Sequence, residues 1–96
     1  MKFQWDEKKD RKNQRKHKIT FAEAATVFAD PMLLVVPDTT TDTDEETYLA
    51  VGRMLNSYTV LLVAHTYRDE NDEEVTRIIS ARTLSKGEVR NHGYGH

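Results

Sequence analysis

The sequence predicts an α+β fold, in which a helix pair and a short C-terminal helix pack an antiparallel sheet. Three observations carry this. One capped, amphipathic helical stretch, Thr20 to Phe28, follows a polar one, Glu7 to His17. Apolar and alternating runs then recur at 32–36, 47–53, 58–68 and 75–82, with polar turns between them. Strands grouped after helices, rather than interleaved with them, favour an antiparallel sheet with helices on one face. The expected order is β-α-α-β-β-β-β-α, in one domain over residues 1–96.

Lys2-Phe3-Gln4-Trp5 alternates with the period of a strand and is short enough for a sheet edge. Asp6 is a good N-cap, although Lys9 stands where a capping box would place Glu. Glu7 to His17 holds strong helix formers and almost no apolar residues, so Trp5 and Ile19 are expected to anchor its ends. Thr20 with Glu23 forms a capping box. Phe21, Ala24, Ala25, Val27 and Phe28 give the next helix its apolar stripe. Asp30-Pro31 ends it, because the residue before proline is pushed out of the α region.

Met32 to Val36 reads as a buried strand stopped by Pro37. Asp38 to Glu46 reads as a polar, mobile loop. Thr47 to Arg53 follows as a strand, with Tyr48, Ala50 and Gly52 on one face. Asn56-Ser57 has turn chemistry. Tyr58 to Arg68 is the expected central strand, since its middle is apolar on both faces. Asp69 to Glu74 is a charged turn, and Val75 to Arg82 returns antiparallel beside the central strand. Ser85 and Glu88 cap a short helix that reaches about His92 and is weakened by Gly87; Gly93 to His96 is expected to fray.

Composition excludes several classes. There is no cysteine, hence no disulfide framework or thiolate metal site. The longest apolar run is too short to cross a bilayer, and no apolar segment follows a basic start as in a signal peptide. A soluble, cytoplasmic protein without membrane association is expected. His92 and His96 alone share helical metal-ligand spacing, in a tail with two glycines, so neither a metal site nor a cofactor is expected. Net charge is only −2, but Met1 to Lys18 is strongly basic. That segment can attract phosphate or form a solvated helix face.

What chemistry remains lies on two neighbouring strands. Arg68 and Arg77 bracket the charged turn and should approach each other across it. Guanidinium forks match phosphate oxygens; in the plain alternative Arg68 pairs with Asp69, Glu73 or Glu74, and Arg77 with Glu74 or an acidic loop. His65 has the right ordinary pKa for an acid or base, or it is a hydrogen-bonded core histidine. Tyr67 can stack on a base or donate a proton. Alternation places Leu61, Val63, His65 and Tyr67 on one face and Leu62, Ala64, Thr66 and Arg68 on the other. Arg77 and Arg82, five positions apart, would face opposite sides of an ideal strand, so serving one site requires the strand to end or bend near Ala81.

These residues fall in an order that resembles the BrnT family, the toxins of type II toxin–antitoxin systems. The resemblance rests on Phe3-x-Trp5-Asp6 with Lys9 and Asn13, Lys16-His17, Phe21-x-Glu23-Ala24, and Val27-Phe28-x-Asp30-Pro31. It continues through Glu46-x-Tyr48, Gly52, His65-Thr66-x-Arg68, Arg77-Ile78-Ile79-Ser80-Ala81-Arg82 and Glu88. It implies a RelE-like fold and a metal-independent endoribonuclease that inhibits translation. It also implies a ribbon-helix-helix antitoxin, BrnA-like, in a hetero-oligomer that binds operator DNA through the antitoxin. Arg68, Arg77 and Arg82 carry over as the phosphate-binding or catalytic set. Lys16, His17 and Glu88 match family positions, where RNA binding is the implied role and helix capping the alternative for the first two. Thr47, Tyr58-Thr59, Lys18 and His92 depart from the family pattern of Arg, Arg, Gly and Tyr. Loss of cationic groups supports an alternative, a weakly active or inactive homologue that acts as an antitoxin-binding co-repressor.

Overall fold

The computed structural model describes residues 1–40 and 46–95. Most of the acidic loop expected at 38–46, and His96 of the expected tail, lie outside the described residues. The elements run β1 (Lys2–Gln4), α1 (Glu7–His17), α2 (Phe21–Ala25), a 3-10 turn (Thr26–Ala29), β2 (Leu34–Pro37), β3 (Tyr48–Arg53), β4 (Val60–Glu70), β5 (Glu73–Thr83) and α3 (Lys86–Asn91). They form an α+β protein with one five-stranded sheet, ordered β1-β5-β4-β3-β2. The sheet is mixed, which corrects the antiparallel expectation. β1 runs parallel to β5, with Phe3 opposite Thr76, while every other pair is antiparallel. The intervening chain returns β1 to the far edge of the β4–β5 hairpin, where a parallel partner is the one its direction allows.

Caps set the helices. Asp6 accepts the Lys8 and Lys9 amides at the start of α1. Thr20 and Glu23 cap α2 reciprocally, and Ser85 and Glu88 do the same for α3. The helix after Thr20 is shorter than its apolar stripe predicts: beyond Ala25 it tightens into the 3-10 turn. That turn brings Val27 against Gly52, where an added Cβ would lie 2.9 Å from the Val27 Cβ. Gly52 is therefore the residue that lets β3 approach.

One face of the sheet carries the core. Phe21, Ala24 and Val27 pack on Ala50, Leu61, Val63, Ile78 and Ala81, with Ile19 alongside. Burying each large apolar side chain contributes about 1.5–3 kcal/mol. Trp5 packs edge-on to Phe21 at 6.3 Å. α1 is held by polar groups as well. Its buried residues are Asp10 and Asn13. Asp10 accepts the Phe21 amide at 2.9 Å, locking α1 to the start of α2.

β4 and β5 extend further into the charged hairpin than expected. Only Asn71 and Asp72 form its turn, both at positive φ, as a two-residue hairpin on the right-handed twist requires. The strand expected at Met32–Val36 begins instead at Leu34 and is not buried. It is the sheet edge, and Val35 and Val36 are 40% and 45% exposed. The Asp30 carboxylate accepts the Met32 amide, and the Leu33 amide donates to the Asp30 carbonyl, so residues 31 and 32 turn rather than extend.

Candidate functional site

Strand register decides which candidate residues meet. Along β4–β5, Ala64 lies opposite Ser80 but His65 lies opposite Ile78, leaving Ile79 without a partner. Ile79 is a β-bulge, one extra residue that resets the alternation. Leu62 is opposite Arg82, Ala64 opposite Ser80, Thr66 opposite Arg77, and Arg68 opposite Val75. Cross-strand partners share a face. Arg68, Arg77 and Arg82 therefore all stand on the second face, away from the core cluster, with Thr66 and Ser80 among them.

The bulge lies where β5 runs past the end of β1. Beyond Arg77, β1 no longer pairs with β5, and α1 takes its place along that edge. Asn13 Nδ2 donates to the Ala81 and Ile19 carbonyls, each at 2.9 Å, and the Ala81 amide donates back to Asn13 Oδ1 at 3.2 Å. One side chain thus satisfies both backbone groups of Ala81, as a neighbouring strand would. Buried amides left unpaired cost about 1–3 kcal/mol, so Asn13 is a firm tie between helix and bulge.

The same helix carries the basic groups to the bulge. Lys9, Lys12, Asn13, Lys16 and His17 line a cleft of about 230 Å³ with Ile79 and Ser80. Their spacing of three and four residues puts them on one helix face. His17 and Ser80 also border a smaller hollow of about 80 Å³ with Leu49, Leu62, Ala64 and Arg82. The two clefts meet at His17 and Ser80, forming a path from the lysines of α1 to Arg82.

The arginines differ in how they are held. Arg77 Nη1 donates to Gln4 Oε1 at 2.9 Å, a neutral hydrogen-bond partner, and its charge also acts on the Asp6 carboxylate, the weakest of the influences that hold that group's pKa down. Arg82 forms a two-point ion pair with Glu88, Nη1–Oε1 3.3 Å and Nη2–Oε2 2.8 Å, and Nη1 also donates to the Thr83 carbonyl. Arg82 and then the Ser85 amide hold the Glu88 carboxyl down at about 2. Arg82 is the last residue but one of β5, beside the junction with α3. Arg68 is exposed toward the hairpin end.

His65 and Tyr67 are not brought to these arginines. His65 is fully buried on the core face. Its Nδ1 contacts the Val63 carbonyl at 3.2 Å and its Nε2 the Tyr67 hydroxyl at 3.0 Å. Phe28 stacks edge-on to the imidazole at 4.9 Å. Burial lowers the His65 pKa, which the Val63 contact partly offsets, so the ring is kept neutral. Burial and then Glu74 raise the Tyr67 pKa. This is the geometry of a core histidine with a capping tyrosine.

A separate hollow of about 350 Å³ lies at the opposite end of β3, among Asp30, Arg53, Leu55 and Tyr58, and holds none of the candidate residues. Among the described residues no cluster of three or more His, Asp or Glu side chains has metal-binding geometry. No helix among them is long and apolar enough to cross a membrane.

Sequence reasoning missed Gln4, Thr66 and Ser80 as members of this face. Lys9 and Lys12 were visible only as part of a basic helix. The helical spacing from Lys9 to His17 was the signal that could have placed them together.

A search of the curated proteins finds no match to this chain. A family model described as the ribonuclease toxin, BrnT, of type II toxin-antitoxin systems matches residues 5–88. The matched span contains both walls of the cleft, from α1 to Glu88. A toxin of this type implies an RNA target and an antitoxin partner. With a match over most of its length, this chain belongs to the BrnT family of type II toxin–antitoxin ribonuclease toxins.

Proposed function

We propose that this protein is a metal-independent endoribonuclease that inhibits translation, and that its site is the second sheet face together with the α1 cleft. The observation that carries the reading is the bulge at Ile79, which puts Arg77 and Arg82 on one face beside a lysine-lined groove. Guanidinium groups bind phosphate oxygens two at a time, and lysines along a groove attract the backbone of single-stranded RNA.

In this reading the 2′-oxygen attacks the adjacent phosphorus, the bond to the 5′-oxygen breaks, and a 2′,3′-cyclic phosphate forms. Arg77 and Arg82 stabilise the charge that gathers on the phosphate oxygens. Arg68 and Lys16 hold the flanking phosphates. His17 borders both clefts and is the proton-transfer group, taking the 2′ proton, while solvent water protonates the departing 5′-oxygen. His65 and Tyr67 maintain the opposite face. The fold is RelE-like. The partner is a BrnA-like ribbon-helix-helix antitoxin, and their cytoplasmic complex binds operator DNA through it.

The test is incubation of the purified protein with single-stranded RNA in EDTA. Cleavage leaving cyclic-phosphate ends is the expected result. Intact RNA, or cleavage that appears only with added divalent metal, contradicts the reading.

A further inference from the structure

Thr66 sits in the middle of the arginine face with an unmet need. It is 1% exposed, and its Oγ1 is buried without a hydrogen-bond partner among the described residues. The buried polar side chains of Asp10, Asn13 and His65 are, by contrast, all hydrogen-bonded. An orphaned buried hydroxyl destabilises the fold, and a valine of the same shape would avoid that cost. β-branched shape alone therefore does not account for threonine here.

Its surroundings say what would satisfy it. Thr66 is directly opposite Arg77 and two residues from Arg68 on the same strand, so it shares a face with both arginines as their neighbour. Arg77 makes a hydrogen bond to the neutral Gln4 side chain and feels the Asp6 carboxylate only through space. Such a bond to a neutral partner is weak in net terms, and a phosphate, which attracts guanidinium more strongly, can draw the side chain aside. Drawing Arg77 outward opens the sheet surface above its cross-strand partner.

We propose that Thr66 is a substrate-contacting residue, whose hydroxyl donates to a non-bridging phosphate oxygen of RNA held between Arg68 and Arg77. The proposal rests on the ribonuclease reading above. Thr66 adds a neutral donor beside the two cations, and the free protein carries the unsatisfied hydroxyl until RNA arrives.

Thr66→Val and Thr66→Ser separate this from a structural role. Three readings are taken on the purified proteins: thermal midpoint, cleavage of single-stranded RNA, and binding of an oligoribonucleotide that is 2′-O-methylated throughout and cannot be cleaved. Valine removes the orphan, so the midpoint rises by about 4–8 °C while cleavage falls by about tenfold or more and binding weakens. Serine keeps the hydroxyl and stays within about threefold of the wild type. A valine variant that cleaves and binds like wild type overturns the proposal while the ribonuclease reading stands. So does one that loses stability together with activity, or a serine variant as impaired as valine. A wild-type protein that neither cleaves nor binds RNA overturns both.

Discussion

Arg77 and Arg82 stand on the same face of β5, although five positions separate them, because the unpaired Ile79 adds one residue to the strand between them. An unbroken strand would have put them on opposite faces. The bend expected near Ala81 is thus found two residues earlier, as a bulge inside the strand rather than at its end.

The bulge makes a specific deletion informative. Removing one of the two adjacent isoleucines, Ile78 or Ile79, gives the same chain and leaves Arg77 and Arg82 four apart in a regular ladder. Both arginines then keep their face, and the apolar residues keep theirs. RNA cleavage within about tenfold of wild type is expected, with stability lower by about 1–3 kcal/mol through strain at the Asn13 tie. Complete loss of cleavage in a folded deletion variant would show that the bulge itself, not the shared face, is what the site needs.

Glu88 orients Arg82 by its Nη1 and Nη2 groups, leaving the Nε side of the fork for phosphate. Glu88→Gln can still cap α3 but cannot hold both nitrogens by charge. Cleavage should fall by about tenfold to a hundredfold. Ser85→Ala removes the hydroxyl that caps α3 and weakly assists the Glu88 carboxylate, but leaves both Arg82–Glu88 contacts in place; it costs about 1 kcal/mol and should leave cleavage close to wild type. In an Arg82→Lys background, Glu88→Gln should add little. Equal losses from Ser85→Ala and Glu88→Gln would make the helix, not the ion pair, responsible.

His65 gives the fold a pH dependence of known sign. Its folded pKa lies below the ordinary 6.5, chiefly through burial. Below about pH 6.5 the unfolded chain therefore binds a proton that the folded chain refuses, and stability falls as pH falls toward the folded value. The slope cannot exceed about 1.4 kcal/mol per pH unit for one group. Denaturation in urea at pH 7.5 and 5.5 should show it, and His65→Gln should flatten it. Glu88 acts in a lower window. Its stabilisation is present above about 4.5 and is lost as pH falls toward about 2.

Lys18 occupies the left-handed C-cap of α1, at φ 62° and ψ 23°. A side chain there costs about 1–2 kcal/mol relative to a right-handed residue. Glycine avoids the strain, though its freer unfolded chain returns part of the gain. Lys18→Gly should raise stability by about 0.5–1 kcal/mol in urea titration. A lower midpoint would mean that the lysine side chain makes a stabilising contact outweighing the strain.

Much of this fold was legible in the residues. Asp6, Thr20 with Glu23, and Ser85 with Glu88 each begin a helix as their cap chemistry dictates. The apolar centre of β4 marks the middle of the sheet. The parallel pairing of β1 was not legible, because a three-residue alternating strand carries no information about direction. Nor was the exposed edge at β2, since Val35 and Val36 read the same whether one neighbour strand covers them or two. At the proposed site, phosphate chemistry is what singles out the arginines. His65 was grouped with them because residue type was weighed above strand parity, which already separated the two faces. The bulge escaped notice because Ile78-Ile79 fits a regular strand equally well. What fixes it is Asn13, reaching Ala81 from sixty-eight residues away.

The two faces of β4 and β5 give the account its most direct test. Cleavage of single-stranded RNA in EDTA should be compared for wild type, Arg77→Ala, Arg82→Ala and Tyr67→Phe, each shown to be folded by its thermal midpoint. The account predicts losses of about a hundredfold or more for the two arginines and little change for Tyr67→Phe on the core face. Full activity in both arginine variants, or a Tyr67→Phe loss as large as theirs, would contradict it.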